Sequence, residues 1–284
     1  MRALVILLLA TTACCFLLPS SSWGQSQLSY GFKAGLNSSK INGTVENGRY
    51  ESTSGFHLGV IFSYAITDLF GVKAEFMYSQ KGGDFFYEGP SFFHLQDEST
   101  NILAKGTRIM NVSISNDYLD FPFLLYGRFG PLELQGGINV GLLAGSTGVG
   151  QLRFTGSEPI FDEFILNLDH QYYSDKAGEA NMENEEIVRI GASQVTLPKE
   201  IGAYYEYDEK EGSLFHFLDV GVNVGALFYL NDGLYLGGRA NFGLLDVKRE
   251  TAEITYATFD GNVPASGDVA DKQVSYQISL GFSF

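Results

Sequence analysis

The sequence predicts an all-β protein, an antiparallel up-and-down barrel of eight strands that crosses a membrane. Three observations lead to this prediction. Eight segments alternate apolar and polar residues with a period of two, their connections alternate between short and long, and their charged residues share one face. The composition agrees, because 34 glycines, 14% aromatic residues and only 7 prolines in 284 residues are typical of strands and turns.

The first 24 residues (1–24) form a separate unit, a predicted signal peptide. Arg2 supplies the positive start, and residues 3–18 are almost all apolar. Ser22 and Gly24 then occupy the two positions where a signal peptidase requires small residues. The chain is therefore expected to be exported and cut after residue 24.

Both cysteines, Cys14 and Cys15, lie inside this leader. A lipoprotein signal acylated at one of them is the alternative, but the leucine expected just before the cysteine is missing. The domain that remains, residues 25–284, begins at Gln25 and contains no cysteine. Disulfides and thiolate metal sites are thereby excluded from the mature chain.

Eight strands are predicted in the mature chain. In each one, large apolar residues alternate with glycine, small polar residues or charged residues, which is the period of a strand whose two faces meet different surroundings. The segments are Leu28–Asn37, Gly55–Ala65, Phe70–Tyr78, Tyr118–Phe129, Leu132–Leu143, His216–Phe228, Leu234–Leu244 and Val274–Phe284. No apolar run after the leader reaches the ~18 residues of a membrane helix.

The connections alternate in length. Three tight turns lie at residues 67–69, 130–131 and 231–233, and four long loops cover residues 38–54, 80–117, 144–214 and 246–273. Short turns at one rim and long loops at the other are typical of outer-membrane barrels, with the turns periplasmic and the loops extracellular. The long third loop leaves a ten-stranded barrel open, because residues 186–195 or 204–207 could add a hairpin.

Charge separates a membrane barrel from a soluble one. In a soluble sandwich or lipocalin-like barrel the apolar face points inward, and glycine with small polar residues would not fill that core. All eight charged strand residues share the non-apolar face, so we predict that they form a paired network inside a plugged barrel. These residues are Lys33, Lys73, Glu75, Asp120, Arg128, Glu133, Asp219 and Arg239.

Four segments carry a resemblance to a known family. Residues 31–37 (GFKAGLN), 71–83 (GVKAEFMYSQKGG), 118–125 (YLDFPFLL) and the glycine-spaced 132–145 resemble the PorT-like, or "porin family", outer-membrane β-barrel domain. The resemblance implies an eight-stranded barrel in the outer membrane. Most members of that family have no established activity, and the founding member is linked to protein secretion.

The same resemblance gives the end of the chain a role. The terminal Phe284, with Phe282 and Leu280, is similar to the aromatic ending that barrel-assembly machinery recognises. The expected partners are therefore that machinery, outer-membrane lipid and lipopolysaccharide, and surface or secretion partners. Nucleic acid is excluded, because 33 acidic residues outnumber 18 Lys and Arg and no basic stretch exists.

Catalysis is not expected. A lipid-processing or peptide-cleaving barrel needs a nucleophile, a base and an orienting group within reach, and none of the histidines lies in a recognisable nucleophile motif. We interpret His57 as a polar interior residue, His94 and His170 as loop residues, and His216 as a residue at a strand mouth. No cofactor is expected. The leading hypothesis is a non-enzymatic structural, surface-interaction or secretion-accessory protein, with a small-solute pore and a lipid-processing enzyme as alternatives.

The third loop is strongly acidic. Residues 146–213 contain 14 acidic residues against five basic ones. Clustered carboxylates suit divalent cations, but no calcium-loop spacing is present, so a solvated loop beside anionic lipopolysaccharide is the favoured interpretation. The acidic residues include Asp169, Asp175, Glu183, Glu185, Glu186, Asp208, Glu209 and Glu211.

Overall fold

A computed structural model of the chain describes residues 27–96, 101–191, 193–207, 209–249, 254–260, 263–266 and 271–284. The predicted signal peptide, its cleavage site and Asp208 lie outside the described residues. Among the residues that are described, no helix is long and apolar enough to cross a membrane.

The described residues are organised almost entirely as strands. We number the strands in chain order. They are β1 (Leu28–Asn42), β2 (Gly48–Glu51), β3 (Thr53–Ala65), β4 (Phe70–Gln96), β5 (Asn101–Phe129), β6 (Leu132–Glu158), β7 (Ile160–Gln171), β8 (Ala180–Ile190), β9 (Ser193–Ile201), β10 (Leu218–Tyr229), β11 (Leu234–Gly243), β12 (Ile254–Asp260), β13 (Val263–Ser266) and β14 (Lys272–Ser283).

Eight strands pair in a closed cycle. The order is β1–β3–β4–β5–β6–β10–β11–β14, and every pairing in it is antiparallel. β14 then pairs with β1, with Leu36 opposite Ile278, so the last strand meets the first. Each of the eight segments predicted from alternation overlaps a different strand of this cycle, because the period-2 pattern marks the part of a strand whose two faces differ.

The two faces of the cycle have opposite polarity. The outer face exposes large apolar side chains, such as Leu36 (71% exposed), Ile278 (73%) and Leu125 (68%). The inner face buries charged ones, such as Lys33 and Glu75, which are 4% and 5% exposed. This is the reverse of a water-soluble protein, and it matches a protein whose outer surface contacts lipid.

The connections predicted as loops 80–117 and 146–213 are in large part strands, which corrects the sequence prediction. β4, β5 and β6 continue well past the cycle and stay paired, from Gln80↔Asp117 as far as Gln96↔Asn101. We call the sheet that continues beyond the cycle the distal sheet. It comprises residues 80–96 of β4, 101–117 of β5, 145–158 of β6, and strands β2, β7, β8 and β9. The hairpin left open at residues 186–195 exists as β8–β9, whereas residues 204–207 form a turn.

The distal sheet has an apolar core of its own. Phe93 and Leu95 of β4 are 0% exposed, and so is Phe154 of β6. The Phe93 ring lies 5.0 Å from the ring of Phe164 on β7 and 5.6 Å from that of Phe154. Inward positions of the same strands are therefore charged within the cycle and apolar beyond it. The sequence prediction ended these strands too early because it followed only one polarity of alternation.

Removing the central ring of this core should loosen the distal sheet selectively. We expect Phe93→Ala to destabilise it by about 3–5 kcal/mol, because a large buried side chain is replaced by a cavity. Limited proteolysis should show faster cleavage within residues 80–201, while SDS-gel mobility of the unheated protein shows that the cycle stays folded. The neighbouring Phe92→Ala, on the outward face, is the control. Equal cleavage of the two variants would contradict a separate distal core.

Candidate functional site

The interior of the cycle is crossed by a buried ion-pair cluster. The Arg239 guanidinium on β11 donates two hydrogen bonds to the Glu75 carboxylate on β4, both 2.7 Å long. Lys33 of β1 donates a third hydrogen bond to the same carboxylate at 2.8 Å. Because β4 and β11 are four places apart in a cycle of eight, the Glu75–Arg239 pair joins opposite walls. The geometry is the bidentate form, the strongest of charge-assisted hydrogen bonds.

A second cluster lies towards the tight-turn rim. Lys73 of β4 forms an ion pair with Glu133 of β6, and both side chains are almost completely buried. The hydroxyl of Tyr229 on β10 donates to the other Glu133 oxygen at 3.3 Å. This cluster ties β4 to two further strands of the cycle, β6 and β10, near one end.

The third cluster contains a residue that the sequence prediction missed. Lys81 of β4 lies 3.0 Å from Asp120 of β5 and 3.7 Å from Asp219 of β10. Asn139 adds a hydrogen bond of 2.9 Å to Asp120. Lys81 was assigned to a loop because the predicted strand ended at Tyr78. Continuing the period-2 count from Lys73 and Glu75 would have placed it on the inner face.

Arg128 differs from the other seven predicted network residues. It lies near the tight-turn rim, partly exposed, with its guanidinium 3.8 Å from the centre of the Tyr229 ring. Its Nε donates to the carbonyl of Gly130. A cation over an aromatic face at a partly hydrated rim needs no carboxylate partner. The other seven residues fall into the three clusters described above.

Because Lys33 and Arg239 share the Glu75 carboxylate, substitutions in this cluster should differ in how much they lower stability. Glu75→Gln leaves two buried cations without their counter-ion, so we expect the free energy of unfolding to fall by about 3–5 kcal/mol. Lys33→Met leaves the Glu75–Arg239 pair intact and should cost less. Urea unfolding of the purified protein in lipid vesicles measures both. A loss for Lys33→Met equal to or larger than that for Glu75→Gln would contradict the arrangement.

A hydrogen-bond relay crosses the seam where the last strand meets the first. His57 of β3 lies 2.8 Å through Nε2 from the Ser279 hydroxyl of β14, and 2.7 Å through Nδ1 from Asn37 Oδ1 of β1. Since the Asn37 amide nitrogen already donates to Ser79 on β4, Asn37 Oδ1 faces His57 as an acceptor. His57 therefore donates from Nδ1 and accepts the serine proton at Nε2. Gly35 leaves the space, because a Cβ there would lie 2.7 Å from the imidazole.

The relay has the order of groups found in serine hydrolases, a hydroxyl, an imidazole and an orienting side chain. The sequence prediction described His57 only as a polar interior residue, since the partners lie on strands that are distant in sequence. Ser279 and His57 are both buried. Ser279 belongs to β14, which is paired with β1 on one side and with β11 on the other. Acyl transfer also needs free N–H donors for the oxyanion. The hydrogen bonds of His57 can therefore hold β1, β3 and β14 together, whereas the buried Ser279 hydroxyl is not accessible to a substrate.

A double-mutant cycle tests the fastening role. We expect His57→Ala and Ser279→Ala together to destabilise the protein by less than the sum of the single variants, with a coupling of about 0.5–1.5 kcal/mol. Ser275→Ala is the matched control, because it removes an inward hydroxyl of β14 that has no hydrogen-bond partner among the described residues. Its effect should add to that of His57→Ala. Additivity in the Ser279 cycle, measured by urea unfolding, would contradict the relay.

The C-terminal aromatic residues lie on the outer face beside β1. The Phe284 ring is 4.9 Å from that of Phe282 and 6.0 Å from that of Tyr30, and the Phe284 amide donates to the Tyr30 carbonyl. Leu280 is half-exposed on the same face. Their role as an assembly signal remains a prediction.

The other histidines and the acidic segment lie in the distal part of the molecule. His94 and His170 lie on β4 and β7, which corrects their assignment to loops, and His216 lies two residues before β10. Burial lowers the pKa of His170 to about 4, so its imidazole is neutral at pH 7. Asp175 is buried and accepts the backbone N–H groups of Gln171 and Ala203, so it serves the local fold.

Acidic residues of this region make local hydrogen bonds or are exposed. Among the described residues, no group of three or more His, Cys, Asp or Glu side chains is arranged to hold a metal ion. Several acidic residues instead make local hydrogen bonds, such as that from Lys176 N–H to Glu179 and that from Asn181 to Glu200. Other carboxylates of the segment are exposed to solvent, including those of Glu183, Glu185 and Glu211.

The family follows from a comparison with known protein domains. The model of the outer membrane protein beta-barrel domain matches residues 23–249. The chain belongs to this family. It is therefore an outer-membrane β-barrel protein. We found no significant match among curated protein sequences.

Several solved outer-membrane proteins are similar in architecture. Ail, the attachment invasion locus protein of Yersinia pestis, is 10% identical with a TM-score of 0.37, covering 91% of this chain and 99% of Ail. OprG of Pseudomonas aeruginosa is 10% identical with a TM-score of 0.36, and the match covers 92% of this chain and 98% of OprG. The outer membrane protease OmpT of Escherichia coli is 8% identical with a TM-score of 0.30, and the match covers 93% of this chain and 98% of OmpT. At such low similarity none of them bears on what this chain does.

Proposed function

We propose that this chain is a non-enzymatic outer-membrane protein whose closed eight-stranded barrel supports a folded extracellular domain for interactions at the cell surface. In this proposal a signal peptide directs export and is removed. The barrel-assembly machinery recognises the C-terminal strand, and lipid with lipopolysaccharide surrounds the barrel. The observation that carries the proposal is the Glu75–Arg239 ion pair across the interior of the cycle.

The orientation in the membrane follows from the two ends of the cycle. The connections at residues 66–69, 130–131 and 230–233 are short, whereas the opposite end continues into the distal sheet. Short turns face the periplasm in outer-membrane barrels. The distal sheet then lies outside the cell, and the exposed apolar side chains of the cycle form the belt that contacts lipid.

The interior supports a plugged barrel. Eight strands enclose a space that side chains alone can fill. Ion pairs connect β4 with β1, β5, β6, β10 and β11, so they cross the interior at several levels. An ion-selective pore needs a ring of one charge sign, whereas these clusters mix both signs. Some buried polar atoms, such as Gln135 Oε1 and Gln277 Oε1, have no hydrogen-bond partner in the part of the chain that the structure describes, and these are suited to binding internal water.

A surface-interaction role rests on how the distal sheet is held. Three of its strands are direct continuations of barrel strands, so no flexible linker separates the two parts. Its outward face is mainly polar and charged, with Asp84, Glu88, Lys105, Asn111 and Arg153 among the outward residues. A rigid sheet with a solvated face is suited to contacting other surface molecules. The resemblance to PorT-like proteins makes a secretion partner one such contact.

Conductance decides between the plugged barrel and the pore. The purified protein in planar lipid bilayers should give no steady channel, because charged side chains fill the interior. Glu75→Gln combined with Arg239→Gln should produce more frequent transient openings than the wild type. Arg49→Gln is the control, since its ion pair with Glu51 is exposed. Stable, uniform channels from the wild-type protein would refute the plug and favour the small-solute pore.

The enzymatic alternative has a separate readout. If the Ser279–His57 pair were catalytic, a fluorophosphonate probe would label Ser279, and lipid A from producing cells would change mass in a His57-dependent way. We expect neither result, because both groups are buried in the barrel wall region. Specific labelling of Ser279 in the folded protein would overturn the non-enzymatic proposal.

A further inference from the structure

A partly enclosed cavity of about 90 Å³ lies on the inner side of the distal sheet. Its floor is the inner face of the distal sheet, where Met110, Val112 and Leu152 are each at most 4% exposed. Its outer wall is the segment 202–207, which we call the cover segment, and this segment supplies Ala203 and Tyr205. Protein cores are packed with few voids larger than a water molecule, so a cavity of this size in a buried core is unusual.

The walls of the cavity are apolar, aromatic and electrically neutral. Five tyrosines line it alongside aliphatic side chains. Two charged residues also reach it, but each is already neutralised. Lys248 pairs with Asp271 at 2.6 Å, and Glu206 receives two hydrogen bonds of 2.5 and 2.6 Å from Arg108. An ionic ligand would therefore meet no free counter-charge, whereas a neutral apolar ligand would lose no hydrogen bonds on entry.

The cover segment is the side from which a ligand could enter the cavity. Five of its six residues are partly exposed and Tyr204 is buried, so the cavity is separated from solvent on that side by a single turn of chain. The Arg108–Glu206 pair holds this turn against the sheet, since Arg108 lies on β5 and is 1% exposed. Opening the cavity therefore requires the cover segment to release this ion pair and the buried Tyr204, whose hydroxyl donates to the Tyr172 carbonyl, while the strands beneath stay paired.

We propose that this cavity is a binding site for a small, neutral, apolar molecule no larger than a single aromatic ring, which enters beneath the cover segment. The size limit follows from the volume, because a dry apolar cavity of ~150 Å³ binds benzene and a smaller one needs slight displacement of its wall. Aromatic rings on the wall favour a planar ligand through edge and face contacts. This site is additional to the surface-interaction role and does not depend on it.

Methionine-methyl NMR of the full-length protein in detergent micelles tests the proposal, with benzene as the probe. Met110 lies on the cavity floor, and Met77 lies in the barrel interior as an internal reference. Benzene should shift the Met110 signal saturably and leave Met77 unchanged. Benzoate, which carries a charge on the same ring, should give no shift.

Two variants fill the cavity and one serves as the matched control. Val112→Phe and Ala203→Leu should abolish the shift, and having both guards against the failure of one to fold. Val149→Phe, which adds the same ring on the exposed face of the distal sheet, should keep it. Three results would each overturn the proposal. They are no saturable shift in the wild type, an equal shift in the filled variants, and binding of benzoate as tight as that of benzene.

Discussion

The structure depends on one constraint, which is that charged side chains are unfavourable in contact with lipid. The buried Glu75–Arg239 pair shows how this protein meets it. A strand that crosses a membrane has one face in hydrocarbon, where a charged side chain costs ~2–4 kcal/mol at the midplane. The seven clustered charges therefore face inward, where narrow space and poor solvation require partners. The bidentate pair meets this requirement and joins β4 to β11 across the interior. The pair thus adds a direct link between two strands that share no backbone pairing.

The same strands change polarity along their length. Inward positions of β4 are charged at Lys73, Glu75 and Lys81, and they become aromatic at Phe85 and Phe93. Outward positions change in the opposite sense, from apolar residues in the lipid belt to polar ones in the distal sheet. Because the core of a water-exposed sheet must be apolar, the reversal marks the level at which the chain leaves the membrane. The same three strands, β4, β5 and β6, thus lie in lipid along one part of their length and in water along another.

Geometry and access together limit the chemistry of the interior. His57 has partners on both ring nitrogens at distances suited to proton transfer, yet the group lies at the seam between first and last strands with its neighbours packed around it. Fastening a seam in which a single strand pairing closes the sheet is a sufficient role for such a relay. The distal domain differs, since its cavity lies beneath one turn of chain. Binding is accordingly more favoured there than in the barrel.

The sequence by itself determined the eight membrane segments, the inward direction of their charges and the tight turns, because period-2 alternation records which face meets lipid. It did not reveal that Lys81 belongs to the interior, that β4, β5 and β6 extend into a second sheet, or that His57 meets Ser279. These features depend on contacts between residues distant along the chain, and alternation reports only the surroundings of each residue. Only the tertiary structure decided which charge pairs with which, because pairing depends on the register and order of the strands around the cycle.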